Sequence, residues 1–404
     1  MVHKAQFSLP LVSIIITNYN YGRFLIEAVA SAKAQSYPDI ECVIVDDAST
    51  DESGEVLKDV SSRWPDVKII RKEKNAGQTA AFNTGLAATS GQYVVFLDAD
   101  DVLLPKFVET HIFVHISSRV PAGFTSSDMF QSLDSRLVTG TYSLFSAYTA
   151  SQKGMDNCLL RHIDKTDPQV WPTGMFINLD LENNVHLVKN IKWDQWLYAP
   201  TSGNCYRRDA LNLFLKCDSL DLKIQADTYL NKGICLVSGA ILIDMPLSIY
   251  RIHGGNGLVS HPELSGVFFN DMKKCFRGEI AVFRAVVDRL TDDDGLFFQK
   301  MGFTRYKEAL VRMQRGHIIE PDFEEFGALS NYIESRLLLK ADKIKSMMGA
   351  HHFNNLLDSV RMASSVSHAA KGFILRPVAE LLLTLARLTG SKKIWSIGDR
   401  VWHL

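Results

Sequence analysis

The sequence is poor in the short motifs that identify many nucleotide-binding, metal-binding and redox proteins. Its six cysteines include no C-x-x-C pair, which argues against a zinc ribbon and against a thioredoxin-like redox motif. The segment TNYNYGRF, from Thr17 to Phe24, has one glycine and matches neither G-x-G-x-x-G nor G-x-x-x-x-G-K-S/T. It therefore argues against a dinucleotide-binding Rossmann domain and against a P-loop NTPase.

Long apolar runs and an excess of charge of one sign are also missing. The N-terminal MVHKAQFSLP lacks the apolar core of a secretory signal, and no run of about 18 uncharged apolar residues predicts a transmembrane helix. A formal net charge of −1 gives no electrostatic reason to expect a nucleic-acid partner. We therefore expect a cytoplasmic protein with reduced thiols and no nucleic-acid partner.

The composition is that of a globular protein: 46% of the 404 residues are hydrophobic and 22% are charged. Four apolar runs without alternation predict buried strands in the first quarter of the chain, at Leu11–Thr17, Glu41–Asp46, Val67–Ile70 and Tyr93–Leu97. Helical spacing or capping signals predict the helices around them, over Tyr21–Gln35, from Ser49, over Gln78–Thr89 and over Pro105–Ser118. This alternation indicates an α/β fold with a mostly parallel central sheet flanked by helices.

Polar clusters follow three of these strands: TNYN after the first, DDASTD after the second and DADD after the fourth. In parallel sheets, ligands bind beyond the carboxyl ends of the strands. Asp98 and Asp100 flank one small residue, so on an extended strand end their carboxylates point the same way and suit a hard cation such as Mg²⁺ or Mn²⁺. The alternative is that one aspartate caps the helix beginning near Leu104 and the others are solvated.

The second cluster supplies Asp46 and Asp47. A carboxylate at this point can accept a hydrogen bond from the imide N–H of a uracil or thymine ring. Helix capping by Ser49, Thr50 and Asp51 is the alternative, and it does not require the two preceding aspartates.

The segments VSIIITNYNYGRFL, VDDASTDES, NAGQTAAFNTGL and GQYVVFLDADD together resemble the nucleotide-sugar half of family 2 glycosyltransferases, which have the GT-A fold. The resemblance is dense from Leu11 to about His111 and returns at SGNCYRR, ADTYL and YRIHGGN. It implies a GT-A catalytic domain over residues 1–262, with a nucleotide-binding half at 11–111 and an acceptor and catalytic half at 112–262. Residues 263–404 are expected to form a mainly helical C-terminal region.

The resemblance also implies roles for individual residues. Asp100 and Asp98 match the family's D-x-D motif, in which Asp100 would bind Mn²⁺ or Mg²⁺ directly and Asp98 would contact ribose or metal-bound water. Asp47 would read a pyrimidine base, framed by Thr17 and Tyr19. The full set implied in nucleotide binding is Thr17, Tyr19, Asp47, Gly77, Asn83 and Asp98.

Asp227, in IQADTYL, matches the family's general base, although Ala226 stands where the family usually has glutamate. The alternative is that Asp227 is a helix N-cap. His253 is an expected additional metal ligand, with a loop histidine bonded to backbone as its alternative. Arg251 is an expected phosphate contact, whereas Arg207 and Arg208 are weaker candidates because paired arginines are commonly solvated.

These roles imply an inverting, metal-dependent glycosyltransferase that moves a sugar from a nucleotide sugar, with UDP-sugars favoured, to a hydroxyl of a glycan or glycolipid. Surface polysaccharide or glycoconjugate synthesis is the expected setting. Processive relatives carry Q-x-x-R-W and transmembrane helices, and neither occurs here, so we expect transfer of one or a few sugars. The rival hypotheses are a metal-dependent nucleotidyltransferase and an inactive sugar-nucleotide-binding scaffold.

The C-terminal stretch Lys371–Leu404 is unusually apolar and carries Lys392 and Lys393 close to Trp395. This mixture suits a helix at the surface of an anionic bilayer, which would bring the protein to a lipid-linked acceptor at the inner face of the cell membrane. The alternative is a helix that packs on the catalytic domain or on a second subunit of a homo-oligomer.

Overall fold

A computed structural model describes residues 8–141, 159–160, 179–189, 193, 196–215, 225–257, 272–292, 295–316, 329 and 331–364. Two compact units are present: Met1–Asn190 with Trp196–Val282, and Ile191–Gln195 with Phe283–Leu404. The expected boundary at residues 262/263 lies outside the described residues, as does the apolar stretch Lys371–Leu404.

The first unit is built on one sheet with helices between its strands. Its strands are β1 Val12–Asn18, β2 Ile40–Asp46, β3 Lys68–Arg71, β4 Tyr93–Asp98, β5 Val102–Leu103, β6 Phe124–Leu133, β7 Arg136–Thr139, β8 Val185–Val188, β9 Asn204–Arg207 and β10 Ala240–Ile252. Its helices are α1 Gly22–Lys33, α2 Ser53–Arg63, α3 Gln78–Ala87, α4 Phe107–Ser117, α5 Arg208–Phe214 and α6 Ala226–Ser238, with short 3-10 helices at Leu179–Asn184 and Thr201–Gly203.

Strands β3, β2, β1 and β4 lie side by side and are all parallel. The register pairs Thr17 with Asp98 and Asn18 with Asp46, so the carboxyl ends of three strands meet at one edge. Since β1 and β2 are almost wholly buried, their β-branched residues form ladders without alternation, as the sequence predicted. The predicted α/β class with flanking helices is confirmed.

Beyond β4 the sheet is mixed, whereas the sequence predicted a mostly parallel one. β9 is antiparallel to both β4 and β6, β10 is parallel to β6, and β5 is antiparallel to β10. The central strand of this half, β6, is FTSSDMFQSL, which is buried along most of its length although six of its ten residues are polar. An apolar pattern therefore does not reveal it.

Helix α3 lies very close to β1. A Cβ added at Gly85 would come within 2.2 Å of the Ile15 side chain, so only glycine permits this approach. On the same helix, Phe82 stacks on Phe96 of β4 with ring centroids 3.8 Å apart. Cys42, Cys205 and Cys235 are buried free thiols.

The predicted helix caps are correct only in part. Helix α2 begins at Ser53 rather than at Ser49, and of the predicted capping residues it is Asp51 whose carboxylate accepts a hydrogen bond from the backbone N–H of Ser53. The same carboxylate accepts from the Gly22 N–H and so joins the starts of α2 and α1. Asp101, expected as a cap for the following helix, is buried and accepts a hydrogen bond from the Arg251 backbone N–H at 3.1 Å.

The second unit is helical. It contains the end of α7 (Met272–Leu290), α8 (Leu296–Gly316, interrupted at Gly302), α9 (Tyr332–Leu339), α10 (Ala341–Met348) and α11 (350–364). The Asp288 carboxylate accepts a hydrogen bond from the Tyr332 hydroxyl at 3.0 Å and pairs with Arg336 at 2.6 Å, which joins α7 to α9. Along the described part of the chain, no helix is long and apolar enough to cross a membrane.

The two adjacent arginines at the end of β9 differ sharply. Arg208 was expected to be solvated, but its guanidinium donates to the carbonyl of Gly91, to the Leu86 carbonyl at 3.0 Å and to the hydroxyls of Ser13 (3.1 Å) and Thr89 (2.9 Å). It thereby satisfies backbone carbonyls at the end of α3 and in the turn before β4. Arg207 pairs only with its exposed neighbour Asp209 among the contacts of its side chain.

This contrast predicts different effects of the same substitution. Arg208→Met should lower the free energy of unfolding by about 2–4 kcal/mol, because charged hydrogen bonds are lost and partly buried carbonyls lose their donor. Arg207→Met should change it by less than about 1 kcal/mol, since its ion pair is exposed. Urea unfolding of the two variants checks this, and equal losses would contradict the structural role of Arg208.

Candidate active site

The candidate site forms where β1 and β4 end. The Thr17 hydroxyl donates to Asp98 Oδ1 at 3.1 Å, and the Gln78 amide, at the start of α3, donates to the same oxygen at 3.4 Å. The backbone N–H of Asp98 donates to the Ser202 hydroxyl at 3.1 Å. The Thr17 hydroxyl and the Gln78 amide therefore fix the Asp98 carboxylate, and Ser202 fixes the backbone that carries it.

Several carboxylates crowd this point. Burial first, and then the charges of Asp100 and Asp227, raise the pKa of Asp98 to about 7. Burial also raises the pKa of Asp227, and burial together with Asp100 and Asp98 holds the pKa of Asp101 well above its ordinary value. The site therefore disfavours its own negative charge, which either a proton or a bound cation would reduce.

Asp100 and His253 lie beside each other, with 3.1 Å between Asp100 Oδ2 and His253 Nε2. The backbone N–H of Gly255 donates to His253 Nδ1 at 3.1 Å, so the neutral ring carries its proton on Nε2 and donates it to Asp100. Helix α1 fixes the ring from the other side: Phe24 packs against it at 4.7 Å and Tyr21 at 5.3 Å between centroids.

The turn that carries His253 is braced by its own side chains. Asn256 donates to the Arg251 carbonyl at 2.9 Å and accepts a hydrogen bond from the His253 backbone N–H. The Tyr21 hydroxyl donates to the Gly255 carbonyl at 2.7 Å. The loop is thus tied at both ends and held against the start of α1.

Arg251, the expected phosphate contact, is already engaged. Its guanidinium donates to the carbonyls of Asp100 and Asp101 and pairs with the Glu27 carboxylate, and its side chain is only 12% exposed. In this arrangement Arg251 holds the backbone of Asp100 and Asp101 in place through their carbonyls. A phosphate contact would have to compete with these partners, and it stays a prediction.

Asp47 lies at the other side of the edge, at the end of β2. Its carboxylate pairs with Lys72 and accepts hydrogen bonds from the backbone N–H groups of Ala76 (3.2 Å) and Gly77 (2.7 Å). Gly77 has φ +85°, a conformation that favours glycine, and it directly precedes α3. Asp47 therefore anchors the loop that leads into α3.

The remaining nucleotide-binding candidates differ in exposure. Thr17 is nearly buried, while the Tyr19 ring is 44% exposed beyond the end of β1. Asn83 lies half-buried on α3. Of the candidates, the structure joins Thr17 directly to Asp98, and Gly77 directly to Asp47.

Asp227 is the second residue of α6, so the N-cap position predicted as its alternative role belongs to Gln225, which has φ +61°. Its carboxylate accepts a hydrogen bond from the Thr228 backbone N–H at 2.7 Å and is half-buried. The negative charge of Asp227 contributes to the raised pKa of Asp98, so the two carboxylates are close enough to interact electrostatically.

Sequence reasoning missed several residues of the site. Gln78, Thr201 and Ser202 contact Asp98 or one another, and the Asn18 amide donates to Asp46 Oδ1 at 2.8 Å in a buried position. A signal existed for Ser202, which is part of SGNCYRR. Gln78 likewise lies in NAGQTAAFNTGL, but its hydrogen-bond role was not predictable, because its partners lie far away in sequence.

No group of three His, Cys, Asp or Glu side chains arranged to hold a metal ion occurs among the described residues. Asp100 and His253 supply two neighbouring ligand atoms. Mg²⁺ characteristically uses one or two protein ligands and completes its shell with substrate phosphates and water. A pair of protein ligands is therefore compatible with such a cation.

Comparison with known proteins gives consistent results. Residues 13–117 match the model of the Glycosyl transferase family 2. The chain is 33% identical over 249 residues to an uncharacterized glycosyltransferase of Nostoc sp., covering 62% of this chain and 67% of that protein. It is 24% identical over 280 residues to glycosyltransferase GlyG of Streptococcus pneumoniae, covering 63% and 88%.

Among solved structures, S. aureus TarS 1-349 in complex with UDP-GlcNAc is similar with a TM-score of 0.47 and 15% identity, over 87% of this chain and 92% of that one. The mannosyltransferase PcManGT from Pyrobaculum calidifontis in complex with GDP-Man and Mn²⁺ gives a TM-score of 0.42 and 16% identity, over 98% and 85%. A likeness this distant does not indicate a donor or an acceptor for this chain.

The hydrogen bonds of two histidines predict opposite tautomers. In the metal-free protein at mildly alkaline pH, His253 should carry its proton on Nε2, since Nδ1 accepts from Gly255. His352 is the internal control: its Nδ1 lies 3.0 Å from the Met348 carbonyl and must carry the proton. Long-range ¹H–¹⁵N NMR distinguishes the two forms, and a protonated Nδ1 on His253 would refute the arrangement of the loop.

Proposed function

The chain belongs to glycosyltransferase family 2, and from that premise we propose that it transfers a sugar from a nucleoside-diphosphate sugar to a hydroxyl of a glycan or lipid-linked acceptor. The product would belong to a surface polysaccharide or another glycoconjugate. The observation that carries the proposal is the crowding of Asp98, Asp100 and Asp227 at the carboxyl edge of the sheet, where burial and mutual repulsion raise the pKa of Asp98 to about 7. Such a site is suited to a cation with a diphosphate on one side and a base on the other.

The hydrogen-bonding capacity of Asp47 favours a uracil base. A carboxylate has about four acceptor positions, and Lys72, Ala76 and Gly77 supply three donors to this one. Ala76 contacts both oxygens, so each oxygen already accepts two contacts, and a donor from the ligand would have to replace one of them. Uracil presents a single imide N–H and requires one such replacement, whereas guanine presents two adjacent donors and requires two, so we propose a UDP-sugar as the donor.

Asp100 and His253 are the proposed ligands of Mn²⁺ or Mg²⁺. The 3.1 Å between Asp100 Oδ2 and His253 Nε2 is close to the spacing of about 3.0 Å between neighbouring ligands on an octahedral cation with bonds of about 2.1 Å. To act as a ligand through Nε2, the neutral ring of His253 would have to carry its proton on Nδ1 instead, and the hydrogen bond from the Gly255 N–H would then be lost. When bound, the cation would stabilise the charge that develops on the departing diphosphate.

Asp227 is the proposed general base. Its carboxylate would take the proton from the acceptor hydroxyl as that oxygen attacks the anomeric carbon, and the bond from that carbon to the diphosphate oxygen would break. Burial raises the pKa of Asp227, which makes the carboxylate a stronger base than an exposed aspartate. Attack opposite the leaving group in a single displacement inverts the anomeric carbon.

Substitution of the base separates binding from chemistry. With Mn²⁺ and a panel of UDP-sugars, wild-type protein should release UDP, and Asp227→Asn should slow this release by at least about 100-fold. UDP binding, followed by calorimetry, should stay close to the wild-type value because the variant keeps the side-chain shape.

Asp209→Asn is the matched control, since Asp209 is an exposed carboxylate at the start of another helix of the same unit. It should release UDP at the wild-type rate. Near-normal release by Asp227→Asn would exclude Asp227 as the base. Absence of release by wild-type protein from every nucleotide sugar would favour a binding scaffold.

A further inference from the structure

Gln78 connects two parts of the site that are far apart in sequence. It is the first residue of α3 and half-buried. Its Nε2 donates to Asp98 Oδ1 at 3.4 Å and to the Thr201 hydroxyl at 3.2 Å, and its Oε1 accepts a hydrogen bond from the Ala226 backbone N–H at 3.3 Å. One amide therefore touches the D-x-D aspartate and the first residue of the helix that carries Asp227.

The contact with Ala226 supplies a hydrogen-bond acceptor to the first turn of helix α6. The first N–H groups of a helix have no partner within it and are usually satisfied by an N-cap side chain. At α6 the N-cap residue is Gln225, which makes no side-chain capping bond. Gln78, which lies 148 positions earlier in the chain, supplies an acceptor to this turn instead.

The contact with Asp98 restricts the rotation of the Asp98 carboxylate. Asp98 Oδ1 accepts from both Thr17 and Gln78, so two donors define the rotation of this carboxylate. A carboxylate held in this way can move only if its donors move with it. Any shift of Asp98 on binding a nucleotide would therefore pass through the Gln78 amide to Ala226, next to Asp227.

We propose that Gln78 is a positioning residue that couples occupation of the donor site to the orientation of Asp227. The proposal rests on the assignment of Asp98 to the donor and of Asp227 to the base. It requires an amide, because the position needs two N–H donors and one acceptor on the same group. A glutamate would bring a further negative charge to Asp98, and a methionine would fill the space without any of the three hydrogen bonds.

Gln35 provides a matched control elsewhere in the same unit. Its Nε2 donates to the carbonyls of Ser31 (3.0 Å) and Leu104 (2.9 Å), and its Oε1 accepts from the Val108 backbone N–H at 3.0 Å, in the first turn of α4. It makes the same number and kinds of hydrogen bond as Gln78 and likewise serves a helix start, but none of its partners belongs to the candidate site.

The test compares Gln78→Met with Gln35→Met in the full chain. Hydrogen exchange of the first turn of α6 is measured with and without UDP and Mn²⁺. In wild type and in Gln35→Met, binding should slow exchange of this turn by at least about fivefold. In Gln78→Met this protection should disappear although UDP still binds. UDP-sugar turnover should fall about 10- to 100-fold in kcat, with KM changed far less.

The outcomes separate the two proposals. If wild-type protein neither binds UDP with Mn²⁺ nor releases it from a UDP-sugar, the proposed function fails and the inference fails with it. If wild type is active and Gln78→Met keeps both the protection and the kcat, only the role of Gln78 is overturned. Equal loss of kcat in both variants would also overturn it, because it would reflect general destabilisation. Gln78→Asn, whose amide is too short to span the partners, repeats the test if the methionine variant does not fold.

Discussion

The burial of neighbouring aspartates at one sheet edge is the constraint on which the rest of the site depends, because burial first and neighbouring charges second raise the pKa values of Asp98 and Asp101. Asp98, Asp100, Asp101 and Asp227 lie in partly or fully buried positions, and a rise of the Asp98 pKa from 3.8 to about 7 corresponds to a cost on the order of 4 kcal/mol for keeping that carboxylate ionised. The surrounding polar groups offset this cost. Hydroxyls from Thr17 and Ser202, the Gln78 amide and backbone N–H groups hold the carboxylates in place, while Arg251 supports the segment through its carbonyls. A bound cation would relieve the repulsion that remains.

The two sides of the site are built differently. On the side proposed for the nucleotide, Asp47 fixes the loop before α3 through the N–H groups of Ala76 and Gly77, so a carboxylate sets the geometry of this loop. On the opposite side, His253 is fixed by ring packing against α1 and by the Gly255 N–H. The first side chain of α3, Gln78, accepts a hydrogen bond from the first residue of α6, the helix that carries Asp227. Under the proposed function, donor recognition and base placement would share this structural element.

The sequence predicted the parts of this arrangement that depend on short-range patterns. Uninterrupted β-branched runs identified β1 to β4, and the position of acidic clusters after them identified the edge where Asp98 and Asp100 lie. The other half of the sheet was not predicted, because β6 buries serines, threonine and aspartate whose hydrogen-bond partners come from distant strands. Gln78 could not be found for the same reason: its partners at Asp98, Thr201 and Ala226 come together only when the sheet forms. The expected caps failed where a carboxylate found a better long-range donor, as Asp101 does at Arg251.

The central claim is that this acidic edge holds a divalent cation together with a nucleoside diphosphate. Anomalous scattering from crystals grown with UDP and Mn²⁺ tests it most directly. The account predicts one manganese peak within bonding distance of the Asp100 carboxylate and of the UDP phosphates, with His253 Nε2 as a further neighbour. Bound UDP with manganese away from Asp100, or with no manganese at all, would contradict it.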